Sequence, residues 1–133
     1  MWIFSTAGFF SIIEDSDDPS RVEVRSRAKI SLLFMIDTLA QLYPLEDHPK
    51  VTRSGGDYPY CISIKKSQLA DWARQEIMEY VNYDDFAEKM LHERGPQYRD
   101  VLLECWASSL KLTDQEGKKY SETFREGVYR GQK

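Results

Sequence analysis

Arg21-Val22-Glu23-Val24-Arg25-Ser26-Arg27 decides the fold. Val22 and Val24 point one way, while Arg21, Glu23, Arg25 and Arg27 point the other. That period of two describes a half-buried strand with a charged outer face. Upstream, residues 2–13 are rich in aromatic and β-branched side chains: Trp2, Ile3, Phe4, then Phe9, Phe10, Ile12 and Ile13. Gly8 interrupts the run, which reads as a first strand bent or bulged near Ala7 and Gly8, with a tight hairpin at Thr6–Gly8 as the alternative. Glu14, Asp15, Asp17, Asp18 and Pro19 form a polar turn that lets this strand pair antiparallel with Arg21–Arg27. The acids lack the regular spacing and distal Glu of a calcium loop and read as a solvated turn.

Downstream, Leu32, Leu33, Met35, Ile36, Leu39, Leu42 and Tyr43 make a wide apolar stripe, widened further by Phe34. It predicts a helix near Ser31 to Tyr43, with Ser31 as N-cap (Ser26 if the helix starts earlier) and Pro44 as its stop. So apolar a helix needs cover from the sheet and from something besides. His48-Pro49 reads as loop and Lys50–Arg53 as a short strand. Ser54-Gly55-Gly56-Asp57 is a turn signal, and Tyr58–Ile64 is a further strand. Its Tyr58, Tyr60, Ile62 and Ile64 share one face. Pro59 marks an edge or a bulge.

Ser67 is the expected cap of a helix over Gln68–Val81, with Leu69, Trp72, Ala73, Ile77 and Tyr80 inward and Arg74, Glu76 and Glu79 toward solvent. Asp84 is the expected cap of a short helix carrying Phe86, Met90 and Leu91. After Gly95-Pro96, a last helix buries Tyr98, Val101, Leu102, Cys105, Trp106, Ser109 and Leu110. The order β-β-α-β-β-α-α-α predicts an α+β two-layer sandwich, with a mostly antiparallel sheet of about four strands and helices on one face. Residues 1–112 read as one domain. Residues 113–133 read as a polar tail, frayed or partner-binding, in which Tyr120, Phe124, Val128 and Tyr129 recur at helical spacing.

Composition narrows the function classes. The 133 residues fit a single domain, and 41% hydrophobic residues suit a globular one. Eighteen Lys and Arg against 22 Asp and Glu leave a net charge of −4, which disfavours long nucleic acid as a partner. No Lys or Arg precedes Arg21, and the N-terminal apolar run is broken by Ser5, Thr6 and Gly8, so it does not read as a signal peptide. No stretch approaches the length of a membrane span. The expectation is a soluble cytoplasmic protein starting at Met1, with Cys61 and Cys105 as buried small apolar residues.

Catalytic constellations are not apparent. There is no Gly-x-Ser-x-Gly elbow, P-loop, Gly-x-Gly-x-x-Gly or His-Glu-x-x-His, and His48 and His92 stand apart from any cysteine pair. No metal or cofactor is expected. Glu88 and His92 are four apart on a helix and read as a solvated pair. One group stands out. Arg25 and Arg27 protrude from one strand, Arg53 precedes the Gly-Gly turn, and Asp57, Tyr58 and Tyr60 follow it. Guanidinium groups beside phenols suit a phosphate, a carboxylate or a flat base. The plainer reading is an exposed sheet face whose charges guard against aggregation.

Met1-Trp2-Ile3-Phe4, then Gly8-Phe9-Phe10-Ser11, resembles the opening of a family of small bacterial and phage-associated proteins that begin Met-Trp-Ile/Leu and continue to Gly-Phe-Phe-Ser. The family's Arg-x-Arg segment is matched by Arg25-Ser26-Arg27 and its Asp-Tyr-x-Tyr segment by Asp57-Tyr58-Pro59-Tyr60. Its Tyr-x-x-Phe segment is matched by Tyr83-Asp84-Asp85-Phe86, and its late Trp by Trp106. The resemblance spans roughly residues 1–110 in short pieces. Where relatives carry Gly-Asp before the first helix, this chain has Ile30-Ser31, and its polar tail is an addition. No activity is assigned to that family, so the resemblance implies no catalytic residue.

Two functions suit these features. The first is a non-enzymatic interaction or regulatory protein, of phage or mobile-element association, that binds a protein partner or itself. The second is a binding domain or enzyme for a small anionic or nucleotide ligand, using Arg25, Arg27, Arg53, Asp57, Tyr58 and Tyr60.

Overall fold

The computed structural model describes residues 1–44 and 48–112. The tail expected over 113–133 lies outside the described residues. Contacts divide the chain into two compact units, Met1–Asn82 and Tyr83–Lys133.

The first unit is a five-stranded antiparallel sheet with helices packed on one face, an α+β architecture as expected. Its strands are β1 (Trp2–Ser5), β2 (Gly8–Glu14), β3 (Arg21–Ser26), β4 (Thr52–Arg53) and β5 (Tyr60–Lys65), in the spatial order β1-β2-β3-β5-β4. Helices α1 (Lys29–Leu42) and α2 (Lys66–Gln75) complete the unit, and α2 runs on into a π-helical turn, Glu76–Tyr80.

The fifth strand arises because residues 2–14 form a hairpin rather than one bent strand. Ser5 pairs with Gly8 across the turn residues Thr6 and Ala7. Ser5 Oγ accepts the Ala7 N–H at 3.2 Å and donates to the Gly8 carbonyl at 3.2 Å. Gly8 has φ +136°, a conformation that disfavours any side chain. Across the hairpin Phe4 stacks on Phe9, ring centroids 4.5 Å apart. At the next connection, Asp15 Oδ1 accepts the N–H groups of Asp17 and Asp18, and Asp18 Oδ1 accepts from Ser20. The Ser20 hydroxyl and amide hold the Asp18 carboxyl below the usual range. Among the described residues no acidic or His/Cys cluster could hold a metal ion.

Register assigns the two faces. Ile12, Val24 and Ile62 align in one row, and Val22 aligns with Ile64 in the next. These side chains are buried, together with Phe10, under Leu32, Met35 and Leu39 of α1 and Trp72 of α2. Phe10 meets Trp72 edge to face at 5.6 Å. The spacing Leu32, Met35, Leu39 is the inward line of an amphipathic helix. Leu33, Phe34 and Leu42 of the expected stripe stay about two-fifths exposed, because the sheet underlies only one side of α1.

Helix boundaries differ from expectation where caps were assigned by residue type. Helix α1 begins at Lys29, so Ser31 lies inside it and is buried. Ser26 Oγ accepts the Ala28 N–H just before the helix. Tyr43 leaves the helix in extended conformation, as a residue preceding proline prefers. Helix α2 starts at Lys66 directly after β5, and buried Gln68, not Ser67, satisfies its entry by accepting the Lys65 N–H at 2.9 Å. Glu76, expected in solvent, is buried. It falls one helical turn beyond Trp72 on the inward side, and its carboxylate accepts the Thr6 N–H at 2.9 Å as well as the Thr6 hydroxyl. The π turn then carries Ile77 and Tyr80 outward, 61% and 43% exposed.

In the second unit, α3 (Phe86–Arg94) and α4 (Pro96–Ser109) pack together across Gly95. The cap of α3 is Asp85 rather than Asp84, with its carboxylate accepting the Glu88 N–H at 3.2 Å. Arg99 pairs with Glu88 at 3.1 Å, and Phe86 meets Tyr98 edge to face. The buried stripe expected on α4 is not formed: none of its residues is fully buried, and Val101, Cys105 and Trp106 are exposed. Among the described residues of its own unit α4 packs on α3 alone, and two helices cannot bury a full stripe. Cys61 is half-buried, so neither cysteine is the buried small residue expected. No described helix is long and apolar enough to cross a membrane.

Candidate functional site

The face of the sheet turned away from α1 and α2 carries a continuous row, Trp2–Ser11–Arg25–Cys61–Thr52, one residue from each strand. The alternation that buries Phe10, Ile12 and Val24 necessarily sends Phe9, Ser11 and Arg25 to this side. Phe4 and Phe9 form the next row, and Arg27 continues beyond the end of β3.

Arg25 and Arg27 converge on Tyr58. Their guanidinium carbons lie 4.8 and 5.1 Å from the centre of its ring. Arg25 Nη2 donates to Ser11 Oγ at 2.7 Å, and its Nε is shielded from solvent with no acceptor. Arg27 Nε donates to the Asp57 carbonyl oxygen at 3.2 Å. Phe9 abuts Tyr58, ring centroids 6.3 Å apart, and Trp2 meets Phe9 edge to face at 6.1 Å. Thus Arg25, Arg27, Tyr58 and the Asp57 backbone come together, and they add Phe9, Ser11 and Trp2 to the group.

Arg53 and Tyr60 do not join them. They pair with each other across β4 and β5, with the Arg53 guanidinium 5.6 Å from the Tyr60 ring centre. Tyr60 packs against the core cluster on the helix-covered side, aligned with buried Ser26. Tyr58 lies outside the strand, beyond Pro59, so the alternation that would have put it with Tyr60 does not reach it.

Among the described residues neither Arg25 nor Arg27 forms an ion pair, as is also true of Arg21 and Arg53. The two cations sit no more than about 10 Å apart, within one Debye length at ordinary salt, so they repel. The Tyr58 face offsets part of that cost through cation–π attraction, each contact worth about 0.5–1 kcal/mol where exposed. Cys61, opposite Arg25 in the register, has its thiol pushed up by burial and by Glu23, with Arg25 pulling it down.

Sequence reasoning missed Phe9 and Ser11 as members of the group, although their alternation with Phe10 and Ile12 carries the signal. It also missed a cleft of about 570 Å³ in the second unit, bordered by Asp84, Asp85, Phe86, Leu102 and Trp106. That cleft needs the pairing of α3 and α4, which no local pattern states. Comparison of the chain with family models, curated proteins and solved structures gives no match.

Proposed function

We propose that the protein is a non-enzymatic binding module that engages an anion-bearing partner on the outer face of its sheet, with Arg25 and Arg27 as the anion-accepting groups. The observation that carries this reading is the pair of guanidiniums held on one phenol ring, with no ion pair to either among the described residues. Arg25 is already half desolvated and locked by Ser11, so little ordering remains to oppose binding. The aromatic residues beside the arginines widen the contact beyond a single ion. The reading includes a regulatory role in the cytoplasm of a bacterium or on a mobile element, supported by the resemblance to phage-associated proteins and by two unpaired cysteines.

The test is thermal unfolding with inorganic pyrophosphate as probe. Wild type is expected to gain stability with rising pyrophosphate, as any ligand of the native state confers. The double variant Arg25→Gln, Arg27→Gln is expected to unfold cooperatively and to show no gain. An equal gain in wild type and variant would overturn the assignment of this face.

A further inference from the structure

We infer that the anion recognised on this face is the phosphate of a phosphorylated nucleoside, with its base lying on the Trp2–Phe9 aromatic run. The inference rests on the anion-binding reading above and narrows its ligand.

Arg25 gives one Nη2 N–H to Ser11 and keeps Nε buried, which leaves the other Nη2 N–H and both of Nη1. Arg27 commits Nε to Asp57 and keeps Nη1 and Nη2. Both remaining sets issue from guanidiniums whose carbons lie 4.8 and 5.1 Å from the centre of the same Tyr58 ring, close enough for one ligand to reach both. Two fixed positive charges match a dianion such as a phosphate monoester better than a single carboxylate. Planar guanidinium forks also suit phosphate oxygens in bidentate geometry.

An inorganic anion has no use for Phe9, Phe4 and Trp2, which run from Tyr58 toward the β1 edge through contacts of 6.3, 4.5 and 6.1 Å. Trp2 is 71% exposed, so its ring is open to a stacking base. Trp2 and Arg25 share a row two strands apart, a separation of roughly 10 Å that a ribose bridges between phosphate and base. Every base offers a π-face, so such stacking is tolerant of base identity.

The chemistry is common to a free nucleotide and to the phosphorylated end of a single strand. Titration calorimetry with the full chain separates the cases, using AMP, adenosine, pyrophosphate and octadeoxyadenylate with or without a 5′-phosphate. AMP is expected to bind at least about tenfold more tightly than pyrophosphate or adenosine, the value of a modest base stack. Trp2→Ala is expected to bring AMP down to the pyrophosphate level and leave pyrophosphate unchanged. Arg25→Gln with Arg27→Gln is expected to abolish both. In a Cys105→Ser background, AMP is also expected to slow alkylation of Cys61, which pairs with Arg25 across β3 and β5. A phosphorylated strand that outbinds AMP and loses that advantage without its phosphate identifies the strand end; equal affinity identifies the free nucleotide. If AMP and pyrophosphate bind equally and Trp2→Ala changes neither, the nucleoside inference falls while the anion-binding face stands. If no probe binds, both fall.

Discussion

Replacing Glu76 by Ala removes a carboxylate that ties the π-helical turn to the β1–β2 hairpin. Its oxygen accepts both the N–H and the hydroxyl of Thr6, seventy residues away in sequence. A hydrogen bond to a charged group is worth about 1.5–3 kcal/mol, and the partly buried setting places this pair near the lower end. The two bonds are not independent, because both donors belong to one residue. The expected loss is therefore about 2–3 kcal/mol. For a domain of this size each kcal/mol moves the melting temperature by roughly 4–8 °C, so the midpoint falls by about 10–20 °C. Glu76→Gln keeps an acceptor oxygen and is expected to lose only about half as much. Thermal and urea unfolding of both variants, with Thr6→Val to complete a double-mutant cycle, measure the coupling directly. A Glu76→Ala variant within about 0.5 kcal/mol of wild type would refute the reasoning, and so would purely additive effects of Thr6→Val and Glu76→Ala.

Phe10→Ala, which empties the space against Trp72, is expected to cost about 3–5 kcal/mol by urea unfolding, whereas Phe9→Ala on the opposite face costs far less. Asp85→Ala is expected to destabilise α3 by about 1 kcal/mol, with Asp84→Ala near neutral, as read from helix-specific hydrogen exchange. Exposed Cys105 is expected to react with a disulfide reagent well before Cys61, whose raised thiol and partial burial both slow attack. Because the Cys61 pKa is raised in the folded state, its contribution to stability is complete below the unfolded thiol value of about 8.5 and is lost as pH rises above it. Cys61→Ala is therefore expected to flatten the alkaline slope of the stability profile.

The alternation of Val22 and Val24 with charged neighbours was enough to place β3, and with it both faces of the sheet. The apolar spacing of α1 and its stop at Pro44 were legible for the same reason: periodicity and proline act locally. The misreadings share a different origin. The charge of Glu76 points to solvent, yet its position one turn after Trp72 turns it inward to meet Thr6, a partner distant in sequence. Ser31, Ser67 and Asp84 are good capping types, but α1, α2 and α3 begin where β3, β5 and the preceding loop deliver the chain. The expected stripe of α4 followed its period correctly, and no pattern within the helix states how much surface its neighbours cover. In the candidate site, the sequence groups Arg25, Arg27 and Tyr58, and the structure holds them together. Arg53 and Tyr60 separated from them because Pro59 lies between Tyr58 and the strand that holds Tyr60 against the core.

Whether Arg25 and Arg27 on Tyr58 accept an anion is decided by an amide chemical-shift titration with pyrophosphate. The predicted result is a saturable set of shifts confined to Ser11, Arg25, Arg27, Asp57 and Tyr58 and their neighbours on the outer face. Shifts that are absent, or that scatter over unrelated cations such as Lys66 and Lys89, would contradict it.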